Sequence, residues 1–203
     1  MITNLTHRRT VLALAALATV VVATSSCGDL VRSGRSPVMM SIISIRPQGL
    51  IIASTLQSDV ASISDPCSEA APCVLADLAR ATITVVMKDV TVVAPSTNNQ
   101  VMITRYRVTY RRTDGRNTPG VDVPYGFDGG VTVTIAAGGV AIIDFEIVRP
   151  VAKLEAPLVN LRQNPTAISA IADVTFFGTD QVGNDVSVTG SVLVDFGNFG
   201  DDT

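Results

Sequence analysis

The chain has 203 residues, with 15 Lys and Arg against 18 Asp and Glu, and a formal net charge of −3. This acidic balance argues against nucleic-acid binding, which favours a basic domain. Hydrophobic residues make up 47% of the chain, enough to bury a core, and the length suits one folded domain.

Residues 1–26 have the pattern of an export signal. His7, Arg8 and Arg9 form a short positive region, and an uncharged stretch dominated by Ala, Val and Leu follows at 11–23. As a helix this stretch would span about 20 Å, short of the roughly 30 Å hydrocarbon core of a bilayer. A cleaved signal peptide is therefore favoured over a transmembrane helix.

Residues 25–28, with the sequence Ser-Ser-Cys-Gly, resemble the lipobox of a bacterial lipoprotein, although Thr24 stands where an aliphatic residue is usual. The resemblance implies that Cys27 becomes the first residue and carries acyl chains, palmitate among them. Residues 27–36, which include several Gly and Ser, would then form a tether. Ordinary secretion with an unmodified Cys27 is the alternative.

The same resemblance implies an address. A lipoprotein of a bacterial cell envelope is retained at the inner membrane when Asp directly follows the cysteine, and this chain has Gly28 there. We therefore expect attachment at the outer membrane, on its periplasmic or cell-surface side. Acyl chains on Cys27 would be the membrane contact, since each buried methylene contributes about 0.8 kcal/mol.

Loss of the signal removes much of the chemistry available to an enzyme. His7 is the only histidine, and without Arg8 and Arg9 the 15 basic residues become 13 against 18 acidic ones, a net charge of −5. The mature chain therefore lacks Ser-His-Asp and Cys-His nucleophiles and imidazole metal ligands. We expect a non-enzymatic protein, with a carboxylate-based glycan hydrolase as a weaker alternative.

Cys67 and Cys73 are expected to form a disulfide, because export places them in an oxidising compartment. A redox pair is disfavoured, since the spacing is not Cys-x-x-Cys and no basic residue lies beside either sulfur. The pairing leaves Cys27 as the odd cysteine.

From Val38 onward the dominant hydrophobic period is two, which is typical of strands. The predicted strands are Val38–Ile45 and Leu50–Leu56, then segments near 82–88, 105–111, 131–135, 141–147, 172–176 and 186–195. A loop is predicted at Ser58–Pro72, a short helical turn at Val74–Arg80, and a crossover with a helical turn at 150–157.

About seven to nine strands with no sustained helical period predict an all-β, antiparallel sandwich of Greek-key topology over residues 37–203. An up-and-down barrel is the alternative. Long connections near 58–72, 112–124 and 149–166 disfavour the barrel.

The segment 174–188 resembles the closing hairpin of bacterial Ig-like and fibronectin-type-III-like domains, with Asp180, Gly183 and Asn184 in the turn. The resemblance implies an Ig-like sandwich. The Cys-Trp-Cys pattern of antibody domains is absent, since the chain has no Trp.

Arg105, Arg107 and Arg111 alternate along one predicted strand, and Arg112 and Arg116 extend the basic cluster. Guanidinium groups pair bidentately with phosphate and carboxylate, so this stripe is a candidate site for an anionic polysaccharide or a protein partner. The alternative is a solvated strand whose arginines pair with neighbouring carboxylates such as Asp144 or Glu146.

Two further candidate sites come from the same pattern. Asp180, Asn184 and Asp185 offer oxygen ligands for Ca²⁺ as a cofactor, although stabilisation of the turn is the simpler role. Tyr125 and Phe127 lie in a Gly-rich predicted loop and are candidates for stacking on a glycan. Tyr106 and Tyr110 lie on the predicted core face.

Overall fold

Eight β-strands dominate the part of the chain that the computed structural model describes, namely residues 34–48, 55–63, 66–68, 70–91, 95–164 and 166–199. The strands are β1 Val38–Pro47, β2 Thr55–Asp59, β3 Asp77–Met87, β4 Val101–Arg111, β5 Phe127–Ile135, β6 Val140–Val148, β7 Ile168–Asp180 and β8 Asp185–Gly197. A short helix, α1, spans Pro150–Lys153, and 3₁₀ turns span Thr97–Asn99 and Leu158–Gln163.

The strands form two sheets, one with the order β1-β3-β6 and the other with the order β2-β8-β7-β4-β5. All-β sandwich architecture is therefore confirmed. The order β8-β7-β4-β5 corresponds to the G-F-C-C′ sheet of an Ig-like domain, and β1-β3-β6 corresponds to A-B-E. One pairing departs from the antiparallel expectation, because the five-residue β2 runs parallel to β8.

Alternation along each strand builds the core. In β7 every second residue from Ala170 to Phe176 is buried, and these side chains face the other sheet. The predicted core positions Tyr106 and Tyr110 are both buried, at 5% and 7% exposure. Tyr106 packs edge-on against Phe145 of the opposite sheet, with ring centroids 5.1 Å apart.

Glycine at position 129 makes room for this tyrosine. Gly129 lies directly opposite Tyr106 in the β4–β5 pairing. A Cβ atom at position 129 would come within 2.2 Å of the Tyr106 ring, closer than real atoms approach. The glycine inside β5 is thus explained by the close passage of the ring, a usual reason for glycine in a strand.

The two ends of the sandwich differ. At the proximal end, where β1 begins, short hairpin turns at 136–139 and 181–184 join β5 to β6 and β7 to β8, and the longer connection from β3 to β4 lies there as well. At the distal end lie three longer connections, at 60–76, 112–126 and 149–167. The chain enters the sandwich at the proximal end through Ser36, which is 2% exposed and hydrogen-bonds to Asp180.

Three predicted boundaries change. The helical turn at Val74–Arg80 is wrong, because β3 begins at Asp77 and pairs with both β1 and β6. Pairing on both sides outweighs the high intrinsic helix propensity of its alanines. Ser58 belongs to β2 rather than to the predicted loop, and Phe127 begins β5. Residues 50–54 of the predicted second strand lie outside the described residues.

Candidate functional site

The arginine stripe, defined as Arg105, Arg107 and Arg111, lies on the outward face of β4. The three side chains are between 44% and 50% exposed. Their neighbours Tyr106, Val108 and Tyr110 point into the core, so strand alternation alone places the three guanidinium groups outside.

Carboxylates of the adjoining strands already pair with the stripe. Arg107 binds both oxygens of Asp128 on β5, at 2.6 and 2.9 Å, and Arg105 reaches the same carboxylate at 3.1 Å. On the other side, Arg111 binds Asp173 of β7 at 2.6 Å. Three guanidinium groups thus share two carboxylates, and the stripe keeps one positive charge in excess.

The partners differ from the predicted Asp144 and Glu146. Those two residues lie on β6, which belongs to the other sheet, whereas β4 is flanked by β5 and β7. Asp144 is paired with Arg80 at 2.7 Å, and Glu146 lies 3.9 Å from Arg149. The general expectation of cross-strand ion pairs holds, but which carboxylates take part depends on strand order.

An aromatic ring supports the stripe from β7. The guanidinium carbon of Arg105 lies 4.1 Å from the ring centroid of Phe177, and that of Arg107 lies 6.0 Å away. Cation–π contact holds the side chains close to the sheet surface. Arg112 and Arg116, the rest of the basic cluster, both bind Asp114 in the connection after β4.

Tyr125 and Phe127 do not form one aromatic platform. Tyr125 is 58% exposed at the distal end, and its hydroxyl end lies against Gly120. Phe127 is half-buried, and the Arg149 guanidinium covers its ring at 3.9 Å. Tyr125 therefore keeps an exposed surface for stacking, whereas the Phe127 ring is already occupied on one face.

The carboxylate of Asp180 organises the β7–β8 turn. Its Oδ1 accepts hydrogen bonds from the amides of Val182 and Asn184 at 3.0 and 2.8 Å, and its Oδ2 accepts one from the Asn184 side chain at 2.8 Å. Burial alone would raise the pKa of Asp180, but these bonds and one from Ser36 together lower it. Gly183 takes a φ of +89°, as this turn requires.

This geometry supports the turn-stabilising role of Asp180, because N–H donors already engage both carboxylate oxygens. Within the described ranges, no group of three or more His, Cys, Asp or Glu side chains is placed to hold a metal ion. The calcium site at Asp180, Asn184 and Asp185 stays a prediction.

Cys67 and Cys73 form a disulfide, as predicted, with a sulfur–sulfur distance of 1.99 Å. The backbone of Cys73 also exchanges two hydrogen bonds of 2.9 Å with Ser62, which fixes the loop against the chain leaving β2. Cys27, the signal peptide at 1–26 and tether residues 27–33 lie outside the described residues. Among the helices that the structure describes, none has both the length and the hydropathy of a membrane span.

The sequence did not reveal a buried polar cluster at the distal end, defined as Ser58, Asp77 and Lys153. The Nζ of Lys153 lies 2.9 Å from Oδ2 of Asp77, and Ser58 donates to the same oxygen at 2.6 Å. Lys153 is 1% exposed, and Ser58 is fully buried. Burial raises the pKa of Asp77, although contacts with Lys153 and Ser58 act in the opposite direction.

One sequence signal pointed towards this cluster. Lys153 is one of only two lysines in the chain, and Val151, Ala152 and Leu154 surround it with apolar side chains. A lone charge in such a segment is a reason to look for a buried partner.

A cleft of about 420 Å³ opens between β5 and β6, the neighbouring edges of the two sheets. Its lining includes Tyr106, Gly130, Asp144, Glu146 and Arg149. The two acidic residues in it already face arginines, as described above. The cleft is therefore mixed in polarity, with both charge signs on its walls.

No protein-family model matches this chain, and no curated protein matches it in sequence. Among solved structures, it is similar to one described as "X-ray structure of Northeast Structural Genomics Consortium target SoR45". The identity is 8%, the TM-score is 0.34, and the match covers 82% of this chain and 93% of that one. A likeness at that TM-score carries no argument about function.

Replacing Asp128 by Asn tests the ion pairs of the stripe. The hydrogen bond from Arg107 is the main cause that lowers the pKa of Asp128 from 3.8 to about 2. A carboxyl group whose pKa is lower in the folded than in the unfolded chain stabilises the fold at pH values above its unfolded pKa. This stabilisation is lost as the pH falls towards the pKa that the group has in the folded chain. We expect D128N to have a lower urea midpoint than the wild type at pH 7, and the difference to vanish between about pH 4 and pH 2.

Glu155→Gln is the matched control for that series, since Glu155 is exposed and forms no ion pair among the described residues. Its urea midpoint should follow that of the wild type at every pH. A D128N difference that persisted unchanged at pH 2 would contradict the ion-pair explanation.

Replacing Asp180 by Asn separates the turn role from the calcium site. Oδ2 of Asp180 accepts a hydrogen bond from the Asn184 side chain, and in the variant an NH₂ donor can take the place of that oxygen or of Oδ1. Because one of these hydrogen bonds is then lost, we expect the free energy of unfolding to fall by about 1–3 kcal/mol. The adjacent exposed Asp185→Asn should change it by less than about 0.5 kcal/mol. Melting of the wild type should be the same with calcium and with a chelator. A calcium-dependent rise in Tm that D180N abolishes would instead establish the metal site.

Proposed function

We propose that this chain is a non-enzymatic, lipid-anchored module of a bacterial cell envelope, which presents its β-sandwich to a partner at the outer membrane. The Ser-Ser-Cys-Gly run at residues 25–28 supports attachment through acyl chains on Cys27. The absence of histidine after residue 7 supports a role without catalysis.

The observation that carries the proposal is the entry of the chain at one end of the sandwich. Ser36 is buried and bonded to Asp180 at the proximal end, so the proposed tether between Cys27 and the domain is at most nine residues long. Nine extended residues span at most about 30 Å. The domain is about 40 Å long, judged from the 13 residues of β7. The proximal end therefore faces the membrane, and the distal connections lie farthest from it.

The distal end has the surface that such a module needs. Its longer connections expose apolar side chains, with Val121 67% exposed, Tyr125 58% and Leu154 54%. Exposed aromatic and aliphatic side chains on loops that a rigid sandwich holds in place are a frequent basis of protein recognition. We propose a protein partner at this end.

Cys27→Ser tests the anchor. Without a thiol to acylate, we expect the protein to move from the membrane fraction to the soluble fraction of the envelope, and mass spectrometry should find acyl chains on Cys27 of the wild type. A protein with both Cys67 and Cys73 replaced by Ser is the control, because it loses the disulfide but keeps the anchor. A C27S protein that stays with the membrane would overturn the lipid-anchor proposal.

The orientation has its own test in vesicles carrying the acylated protein. A fluorophore attached at Val182, which is 71% exposed at the proximal turn, should be quenched more strongly by a quencher in the lipid than one at Val121. The two positions are matched in residue type and exposure but lie at opposite ends. Equal quenching would show that the tether does not orient the domain.

A second candidate function is binding of an anionic glycan by a soluble periplasmic or secreted form of the domain. The excess guanidinium group of the arginine stripe favours it, because a ligand carboxylate or phosphate would complete the pairing. With polygalacturonate as the probe, replacing both Arg105 and Arg107 by Ala should weaken binding at least tenfold. Arg46→Ala, on the exposed face of the other sheet, should leave it unchanged. Unchanged binding in the double variant would exclude the stripe.

A further inference from the structure

Lys153 occupies an unusual environment for a lysine. Its side chain is only 1% exposed, although it sits in the four-residue helix α1 at the distal end. Among the described residues its one ion-pair partner is Asp77, at 2.9 Å. Asp77 begins β3, and Val148, which pairs with it across the sheet, is fully buried.

As an ion pair this arrangement is costly. An ammonium group has three donors and loses its hydration on burial, and the attraction to one carboxylate often fails to offset that loss. Burial likewise raises the pKa of Asp77. Amide formation would remove both buried charges, because the ammonium and the carboxylate would become one neutral amide and one water molecule.

We propose that Lys153 and Asp77 condense after folding to form an intramolecular amide bond between Nζ and Cγ. Nζ is held against the carboxyl group, 2.9 Å from its Oδ2, and such fixed proximity replaces a bimolecular encounter. The N–Cγ bond forms, and the Cγ–Oδ2 bond breaks.

The contacts at Oδ2 identify it as the leaving atom. It receives the lysine proton across the 2.9 Å contact, and the hydroxyl of Ser58 donates to it at 2.6 Å. Oδ2 leaves as water with two protons from Nζ, and Oδ1 becomes the amide oxygen. One amine and one carboxylic acid give one amide and one water, so no oxidant, cofactor or other reactant is needed.

The bond would join the start of β3 to the connection between β6 and β7. It lies at the end of the sandwich that also carries the disulfide of the β2–β3 connection. This inference does not depend on lipid attachment or on any partner, because it concerns groups within the folded domain.

Mass spectrometry of the purified, reduced protein tests the proposal directly. We expect the wild type to be lighter by one water molecule than its sequence and terminal modification require. A protease digest should yield a branched peptide in which the segment containing Asp77 is joined to the segment containing Lys153. A wild-type digest with two separate, unmodified peptides would overturn the proposal, and that measurement needs no variant to fold.

Two matched variants assign the atoms. Lys153→Arg keeps a positive charge but cannot form this amide, so the loss of water should disappear. Lys88→Arg, which changes the other lysine of the chain, should keep it. Loss of water that persists in K153R, or that disappears in K88R, would contradict the assignment to Lys153.

Discussion

The packing of Tyr106 between the two sheets is the contact on which the centre of the sandwich depends. Its ring lies 5.1 Å from that of Phe145 and 6.2 Å from those of Phe127 and Phe176, so one side chain bridges four strands. In antibody-type domains a tryptophan on the strand corresponding to β4 fills this space against a disulfide. Here a smaller aromatic cluster fills it, and Gly129 is the local adjustment that lets the tyrosine lie flat against β5.

Alternation fixes the outer face at the same time as the core. Because Tyr106, Val108 and Tyr110 point inwards, Arg105, Arg107 and Arg111 must point outwards. Pairing with Asp128 and Asp173 then spreads their charge across three adjacent strands. Such exposed pairs contribute little to stability individually. Their larger effect is to hold a regular charged surface that opposes edge-to-edge or face-to-face association of sheets.

The sequence predicts contacts well where the information is local. Period-two hydrophobicity identifies most strands and the buried tyrosines, six residues of separation make the Cys67–Cys73 disulfide easy to expect, and the Asp180 turn lies within five residues. It predicts poorly where the information lies in strand order. The carboxylates that pair with the stripe depend on which strands flank β4, and the residues nearest in pattern, Asp144 and Glu146, belong to the other sheet.

The distal polar cluster is the extreme case of this limit. Ser58 and Asp77 are 19 residues apart, and Lys153 lies a further 76 residues along the chain, so no local pattern connects them. They meet because β2, β3 and the β6–β7 connection all end or begin at the distal end. A long connection makes few contacts within itself, and fixing each of its residues costs conformational entropy. The disulfide and the cluster supply such constraints there. A domain that presents its distal loops to a partner needs those loops in one conformation before the encounter, since ordering them on binding would weaken the complex.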